Sequence, residues 1–91
     1  MMERRSKMSI LVDILKIVYR KGKTKPTHIL YGANLSHVRL KKYLDVLLTQ
    51  GFIEMTHESS HTFYVITPKG QNFLREFKKV QELSDAFGVP I

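Results

Sequence analysis

Apolar residues in the first part of the chain recur every three or four positions, which is the spacing of one face of an α-helix. This pattern predicts a first helix over residues 10–21, with Ser9 as its N-cap and Gly22 just beyond its last turn. The apolar face of this helix contains Ile10, Leu11, Ile14, Leu15 and Val18.

Two more helices are predicted next, joined by a tight turn. The first is short, about residues 27–33, and the second covers about residues 36–50 with Ser36 as its N-cap. The Gly-Ala-Asn stretch at residues 32–34 contains two residue types that tolerate positive φ. The inward face of the longer helix consists of Leu40, Leu44, Leu47 and Leu48, with Tyr43 alongside.

The pattern then changes from a helical to an alternating period. Residues 52–57 and 62–67 are rich in β-branched and aromatic side chains, and the polar residues 58–61 separate them, which predicts a β-hairpin. The Thr-Pro pair that follows is typical of a helix start. A last helix is therefore expected over about residues 68–86.

This order of elements predicts a winged helix-turn-helix fold, of the mainly α (α+β) class, with an additional C-terminal helix. The second and third helices form the helix-turn-helix, and the hairpin forms the wing. We expect residues 1–67 to form this domain, with residues 1–9 as a basic arm, and residues 68–91 to form a dimerisation helix and tail. The cations of the arm are Arg4, Arg5 and Lys7.

The chain has a net charge of +7, and its positive charge is concentrated in the first half. Residues 1–42 carry eleven Lys/Arg against two acids, a balance of +9, whereas residues 43–91 carry four against six, a balance of −2. This asymmetry favours a polyanionic partner, nucleic acid before an anionic membrane surface. The sequence has no cysteine and no apolar run of the roughly 20 residues that cross a bilayer. We expect a cytoplasmic, nucleoid-associated protein.

Four short motifs occur along the chain in a fixed order. They are I-L-Y-x-A-N-L-S, L-K-x-Y-L-x-x-L, G-F-I and T-P-K-G-x-x-F-L. Over roughly residues 10–80, this series resembles the small archaeal winged-helix proteins of the 10-kDa chromatin-associated type. The resemblance implies DNA binding and a homodimer formed by the C-terminal helices as an antiparallel coiled coil.

The outward face of the third helix is the predicted DNA-binding surface, because bases are read mainly by the N-terminal half of this helix. Arg39 suits a guanine edge, Val38 a thymine methyl group, and the two lysines that follow suit phosphates. No acid occurs on this face before Asp45. The residues expected at double-stranded DNA are Ser36, His37, Val38, Arg39, Lys41 and Lys42 in the helix, Lys23, Lys25 and Thr27 before it, and Ser59 and Ser60 in the wing.

The wing is expected to contribute little to this surface. Its tip contains Glu58 and no Lys or Arg. His57 and His61 have a spacing that binds metals on a helix, but here they flank a hairpin tip, without cysteine or a suitable carboxylate cluster. We therefore expect no metal and no cofactor.

The last helix carries a wide apolar stripe with heptad-like spacing, which favours pairing with another helix. The stripe extends beyond the expected core, and exposed aromatic surface of this kind marks an interface. The alternative is a helix that folds entirely onto its own domain. The predicted dimer-interface residues are Phe73, Phe77, Val80, Ser84 and Phe87.

The remaining alternatives concern the kind of function. A specific transcription regulator and a chromatin architectural protein differ in sequence preference rather than in fold. A winged helix can also be a protein-interaction module in a transcription or RNA-processing assembly, but the third helix would then have a neutral or apolar outer face. Recognition of single-stranded RNA usually needs an aromatic stacking platform, and none is evident in the sequence. No catalytic triad or glycine-rich phosphate loop indicates an enzyme or a small-molecule substrate.

Overall fold

The computed structural model describes residues 6–89. The elements in this range are α1 (Lys7–Lys21), α2 (Pro26–Gly32), α3 (His37–Thr49), β1 (Ile53–Glu58), β2 (His61–Ile66) and α4 (Pro68–Phe87). Helices α2 and α3 form a helix-turn-helix, and the antiparallel β1–β2 hairpin forms the wing, which confirms the predicted fold. No helix within these residues is long and apolar enough to span a membrane.

Helix α1 begins earlier than predicted. Ser6, not Ser9, is the N-cap, and its hydroxyl accepts the backbone N–H of Ser9 at 3.0 Å. The lysine and methionine between the two serines are good helix formers, so the helix extends back to a serine that can cap it. Lys7 therefore belongs to α1 rather than to an arm, while Arg4 and Arg5 lie outside the described residues.

The turn between α2 and α3 uses one of the two predicted positions with positive φ. Asn34 has a φ of 54°, whereas Gly32 is the last residue of α2. A Cβ atom on Gly32 would lie 2.9 Å from Cδ1 of Ile17, so the glycine allows α2 to pack closely on α1. Helix α2 begins at Pro26, which suits a first helical position. Ser36 caps α3 as predicted.

The helices enclose one hydrophobic core with α1 at its centre. Ile14, Leu15 and Val18 of α1 have no exposed surface, and burial of each such side chain contributes about 1.5–3 kcal/mol. Phe73 and Leu74 bring the first half of α4 against the same core. The inward face of α3 contains the predicted leucines and one tyrosine: Leu40, Tyr43, Leu44 and Leu47, with Leu48 half-buried beside them.

The wing is a two-stranded antiparallel hairpin, and one residue from outside the hairpin pairs with its edge. Its strands lie within one residue of their predicted bounds and are joined by Ser59 and Ser60, with φ values of 49° and 66°. Positive φ at both central residues is typical of the type I′ turns of tight hairpins. On the other edge of β2, Thr24 exchanges two backbone hydrogen bonds with Tyr64, of 3.0 and 2.8 Å. This pairing ties the segment between α1 and α2 to the wing.

The start of α4 is fixed by residues 67–70. Thr67 caps the helix by accepting the N–H of Gly70 at 3.0 Å, and its hydroxyl donates to the carbonyl of Gly51 at 2.6 Å. The N–H of Thr67 donates to the carbonyl of Phe52 at 3.0 Å. A Cβ atom on Gly70 would lie 2.2 Å from that carbonyl oxygen. A side chain at this position is therefore incompatible with the close contact between α4 and the start of the wing.

We expect Gly70→Ala to destabilise the protein by about 1–3 kcal/mol, because the added carbon meets a backbone carbonyl that cannot rotate away. At an ordinary helical position the same change would stabilise by up to about 1 kcal/mol, so the sign of the effect is diagnostic. Urea unfolding measures it, with Gln71→Ala at the adjacent exposed position as the control. A Gly70→Ala variant as stable as the parent would contradict the contact.

Candidate nucleic-acid interface

The outward face of α3 is exposed and positively charged over its first turns. Ser36 fixes the start of this face, because its hydroxyl accepts the N–H of Arg39 at 3.3 Å. Val38 is 82% exposed. Neither of the ion pairs found within residues 6–89 involves α3. The structure thus brings the following predicted residues together in solvent: Ser36, His37, Val38, Arg39, Lys41 and Lys42.

A cleft separates this face from α2 and the wing. It is lined by Pro26 and Tyr64 on one side and by His37, Lys41 and Asp45 of α3 on the other. Burial and, to a smaller extent, the carboxylate of Asp45 raise the pKa of Tyr64, so its hydroxyl stays protonated at neutral pH. Asp45 ends the positive part of α3, and an anion is attracted only to the turns that precede it.

Lys23 and Lys25 lie on the segment that joins α1 to α2, beside the wing. Thr24 between them is fully buried and paired with Tyr64, so this part of the chain is extended. Successive side chains of an extended segment point to opposite sides. Both lysines are therefore directed away from the core, and Thr27 is exposed at the beginning of α2.

Lys23 forms an ion pair with the wing tip. Its Nζ lies 2.6 Å from Oε1 of Glu58, and both side chains are about half exposed. The same ammonium group lies 5.9 Å from the centre of the Phe63 ring, within cation–π range. The negative charge of Glu58 is thus offset by a neighbouring lysine, and Ser59 and Ser60 are exposed at the turn beyond it.

The two histidines of the wing point to opposite faces of the hairpin. His57 is the cross-strand partner of Thr62, and His61 is the partner of Glu58. Cross-strand partners share a face and consecutive residues alternate. His57 Nδ1 also lies 3.1 Å from the Thr62 hydroxyl. The described part of the chain contains no group of three or more His, Cys, Asp or Glu residues placed to hold a metal ion.

A second groove lies between α2 and β2, and the sequence pattern did not reveal it. Its lining includes the aromatic rings of Tyr31 and Phe63 together with Lys21, Lys23 and Lys25. The two rings are far apart in the sequence and come together only through the pairing of the lysine segment with the wing. The feature of the sequence that could have indicated this groove is Tyr31, an aromatic residue on the polar face of α2.

The predicted dimer-interface residues differ in their exposure along α4. Phe73 and Phe77 are partly buried against the domain, with ring centres 6.4 Å apart. Val80 and Phe87 are exposed, Phe87 by 74%, and Ser84 is intermediate. The first half of the apolar stripe is therefore used within the chain, and the second half faces solvent.

The helix-turn-helix, the adjacent hairpin and the exposed basic helix define a protein of the winged helix-turn-helix class. Residues 4–85 match the winged helix-turn-helix family, and the chain belongs to this family. The crystal structure of Sso10a-2, a DNA-binding protein from Sulfolobus solfataricus, is similar with a TM-score of 0.74 and 32% sequence identity. The similarity covers 92% of this chain and 90% of that one, which confirms the resemblance to small archaeal winged-helix proteins.

Two other proteins show how widely this fold extends. An uncharacterised protein of Methanocaldococcus jannaschii is 36% identical over 80 residues, which is 88% of this chain. The chain spans 36% of the length of that relative. The transcriptional regulator BldR from Sulfolobus solfataricus has a TM-score of 0.74 at 17% identity, covering 90% of this chain and 61% of its own. At that identity the likeness concerns the fold alone.

We expect Glu58→Gln to increase binding to a polyanion, because it removes a negative charge from the basic surface and releases Lys23. The variant should elute from heparin at higher salt, with a salt slope steeper by about one. The ion pair is exposed, so its loss should cost at most about 1 kcal/mol of stability. Glu76→Gln is the matched control, because it removes the same charge from an ion pair on α4, with Lys79 at 3.0 Å. If both variants elute from heparin at equally increased salt, binding depends on the net charge and not on the position of Glu58.

Proposed function

We propose that the protein is a dimeric double-stranded DNA-binding protein, a transcription regulator or a chromatin architectural protein, whose helix α3 enters the major groove. The observation that carries this proposal is the outward face of α3, an exposed basic surface with no acid before Asp45. An α-helix fits the major groove, where phosphates flank the base edges. The 32% identity to Sso10a-2, a DNA-binding protein, supports the proposal.

The side chains of α3 suit different parts of the DNA. The planar guanidinium of Arg39 matches O6 and N7 of guanine, and Val38 suits the methyl group of thymine. Lys41 and Lys42 carry compact charges on flexible stems, which suit phosphate oxygens. His37 supplies a polar group in the first turn. With one arginine against two lysines, this surface favours binding to the backbone over reading of bases.

Residues outside α3 extend the proposed contact along the DNA backbone. Lys25 and Thr27 are exposed beside the helix-turn-helix, and Lys25 has no acidic partner within residues 6–89. Lys23 is paired with the wing, so its contact with a phosphate requires that ion pair to open. Ser59 and Ser60 offer hydroxyl groups to the sugar-phosphate backbone.

We expect Lys42→Ala to weaken binding to duplex DNA of random sequence, because one phosphate contact is lost. The slope of log affinity against log salt should fall by about one. Arg39→Ala should instead relax any sequence preference. Fluorescence anisotropy of a labelled duplex at about 50 and 200 mM salt measures the effect of Lys42→Ala, and selection from random DNA measures that of Arg39→Ala. Lys79→Ala, which removes a lysine of α4, is the control.

The outcome of this titration also tests the function itself. Absence of binding by the parent protein at about 50 mM salt would overturn the DNA-binding proposal and favour a protein-interaction module. Unchanged affinity in both α3 variants would assign the contact to another surface. Selection from random DNA then separates the two kinds of DNA-binding protein, since a regulator prefers its site by about 10³-fold or more.

The dimer is proposed to form through α4. This helix has 20 residues, or about 30 Å, and its second half presents Val80, Leu83 and Phe87 to solvent. A groove beside this half is lined by Met8 and Val12 of α1 and by α4 itself. A second copy of α4 in antiparallel orientation offers a matching apolar stripe that covers these side chains.

We expect the combined change Val80→Ser and Phe87→Ser to produce monomers. Both side chains are exposed in the single chain, so the fold should be retained. Sedimentation equilibrium measures the association state, and circular dichroism checks the fold. Tyr19→Ser, which removes an aromatic side chain that is 58% exposed on α1, is the control and should remain dimeric. A folded double variant that sediments as a dimer would assign the interface to another surface.

A further inference from the structure

Tyr31 has an exposed aromatic ring that the core does not use. Helix α2 buries Ile29 and Leu30, and Tyr31 stands on its outer side, one turn beyond Thr27. Its side chain is 81% exposed, more than that of Phe87 at the end of α4. Packing of α2 does not require this ring, which leaves its face available to a ligand with a planar surface.

The groove beside this ring is positively charged. It has a volume of about 450 Å³ and runs from Tyr31 to Phe63 of β2. Three lysines line it, and no acidic residue does: Lys21, Lys23 and Lys25. Glu58 lies outside the lining, and its carboxylate is bound by Lys23. The charge of the groove therefore attracts anions.

Aromatic rings next to lysines suit a strand whose bases are unpaired. A nucleobase stacks on an aromatic side chain regardless of sequence, and cations hold the adjoining phosphates. In a duplex the faces of the bases are covered by their neighbours, so an exposed ring has no base face to contact. An acidic peptide would satisfy the lysines but would leave the ring of Tyr31 without a planar partner.

We propose that the groove between α2 and β2 binds an unpaired strand of nucleic acid, with a base stacked on Tyr31 and phosphates held by Lys21 and Lys25. This inference rests on the proposed nucleic-acid function but uses another surface. Pro26 lines the cleft beside α3, and its neighbour Lys25 lines the groove. A duplex held by α3 can therefore continue into the groove as a single strand.

The experiment compares a labelled oligothymidylate of about 20 nucleotides, which forms no stable secondary structure, with a duplex of the same length. We expect Tyr31→Ala to reduce affinity for the oligothymidylate by about fivefold or more and to leave duplex affinity nearly unchanged. Tyr31→Phe keeps the ring and should keep the affinity. Tyr19→Ala, at another exposed tyrosine, is the control. The sequence has no tryptophan and four tyrosines, so the part of the emission quenching on binding that is lost in Tyr31→Phe reports stacking on Tyr31.

Several outcomes would overturn the inference. The first is that Tyr31→Ala binds the oligothymidylate as tightly as the parent protein. The second is that this variant loses as much affinity for the duplex as for the oligothymidylate. The third is that polyglutamate displaces the labelled oligothymidylate as effectively as the unlabelled oligothymidylate does. Duplex binding without oligothymidylate binding would refute this inference alone. Ring-dependent binding of oligothymidylate without duplex binding would refute only the proposed duplex function.

Discussion

The buried hydroxyl of Thr67 joins the end of α3 to the start of α4, beside the beginning of the wing. It donates to the carbonyl of Gly51 after α3 and accepts the N–H of Gly70 in the first turn of α4. Lys69 adds a hydrogen bond of 2.7 Å from its ammonium group to the carbonyl of Gln50. The end of α3, the beginning of the wing and the start of α4 therefore meet at one point, which lies at the opposite end of α3 from its exposed basic turns. The orientation of the basic surface therefore depends on contacts that lie outside the surface itself.

A second fixed point lies at the pairing of Thr24 with Tyr64. These hydrogen bonds hold the lysine segment against the edge of β2. Lys23 and Lys25 thus project from a defined backbone, although their side chains remain flexible. A surface arranged in this way loses less conformational entropy on binding than the same charges on a loose loop. The positive charge of residues 6–42 becomes part of a shaped surface because these residues are held by the core and by the wing.

The parts of the fold that were predicted correctly are those with local signals. The cap at Ser36, the leucines of α3 and the Thr-Pro start of α4 each depend on residues within one or two turns of one another. The cap of α1 was missed because both Ser6 and Ser9 have the right chemistry, and only the extent of the helix decides between them. Gly32 was misread because its small size matters against Ile17, a residue of another helix.

The exposure of the candidate site residues could be predicted from local patterns, but the contacts between them could not. The outward positions of α3 follow from the helical period alone, so the exposure of Ser36, His37, Val38, Arg39, Lys41 and Lys42 was correctly expected. The Lys23–Glu58 ion pair and the groove between Tyr31 and Phe63 depend on how the wing folds back, which no local pattern encodes. These are contacts between residues distant in sequence, and they determine part of the charge and the shape of the surface.

The chemistry of the proposed interface bears on how it would distinguish DNA sequences. Arg39 is the single side chain of α3 with a rigid fork for a base edge, whereas the lysines around it bind anions without directional preference. Asp45 repels phosphates from the second half of α3, which confines close contact to about two turns of the helix. A short reading surface surrounded by cations gives affinity that is mostly electrostatic and therefore steeply dependent on salt. Sequence preference would then have to come from Arg39 and Val38 or from the shape of the DNA, since lysine contacts with phosphates carry no direct base information.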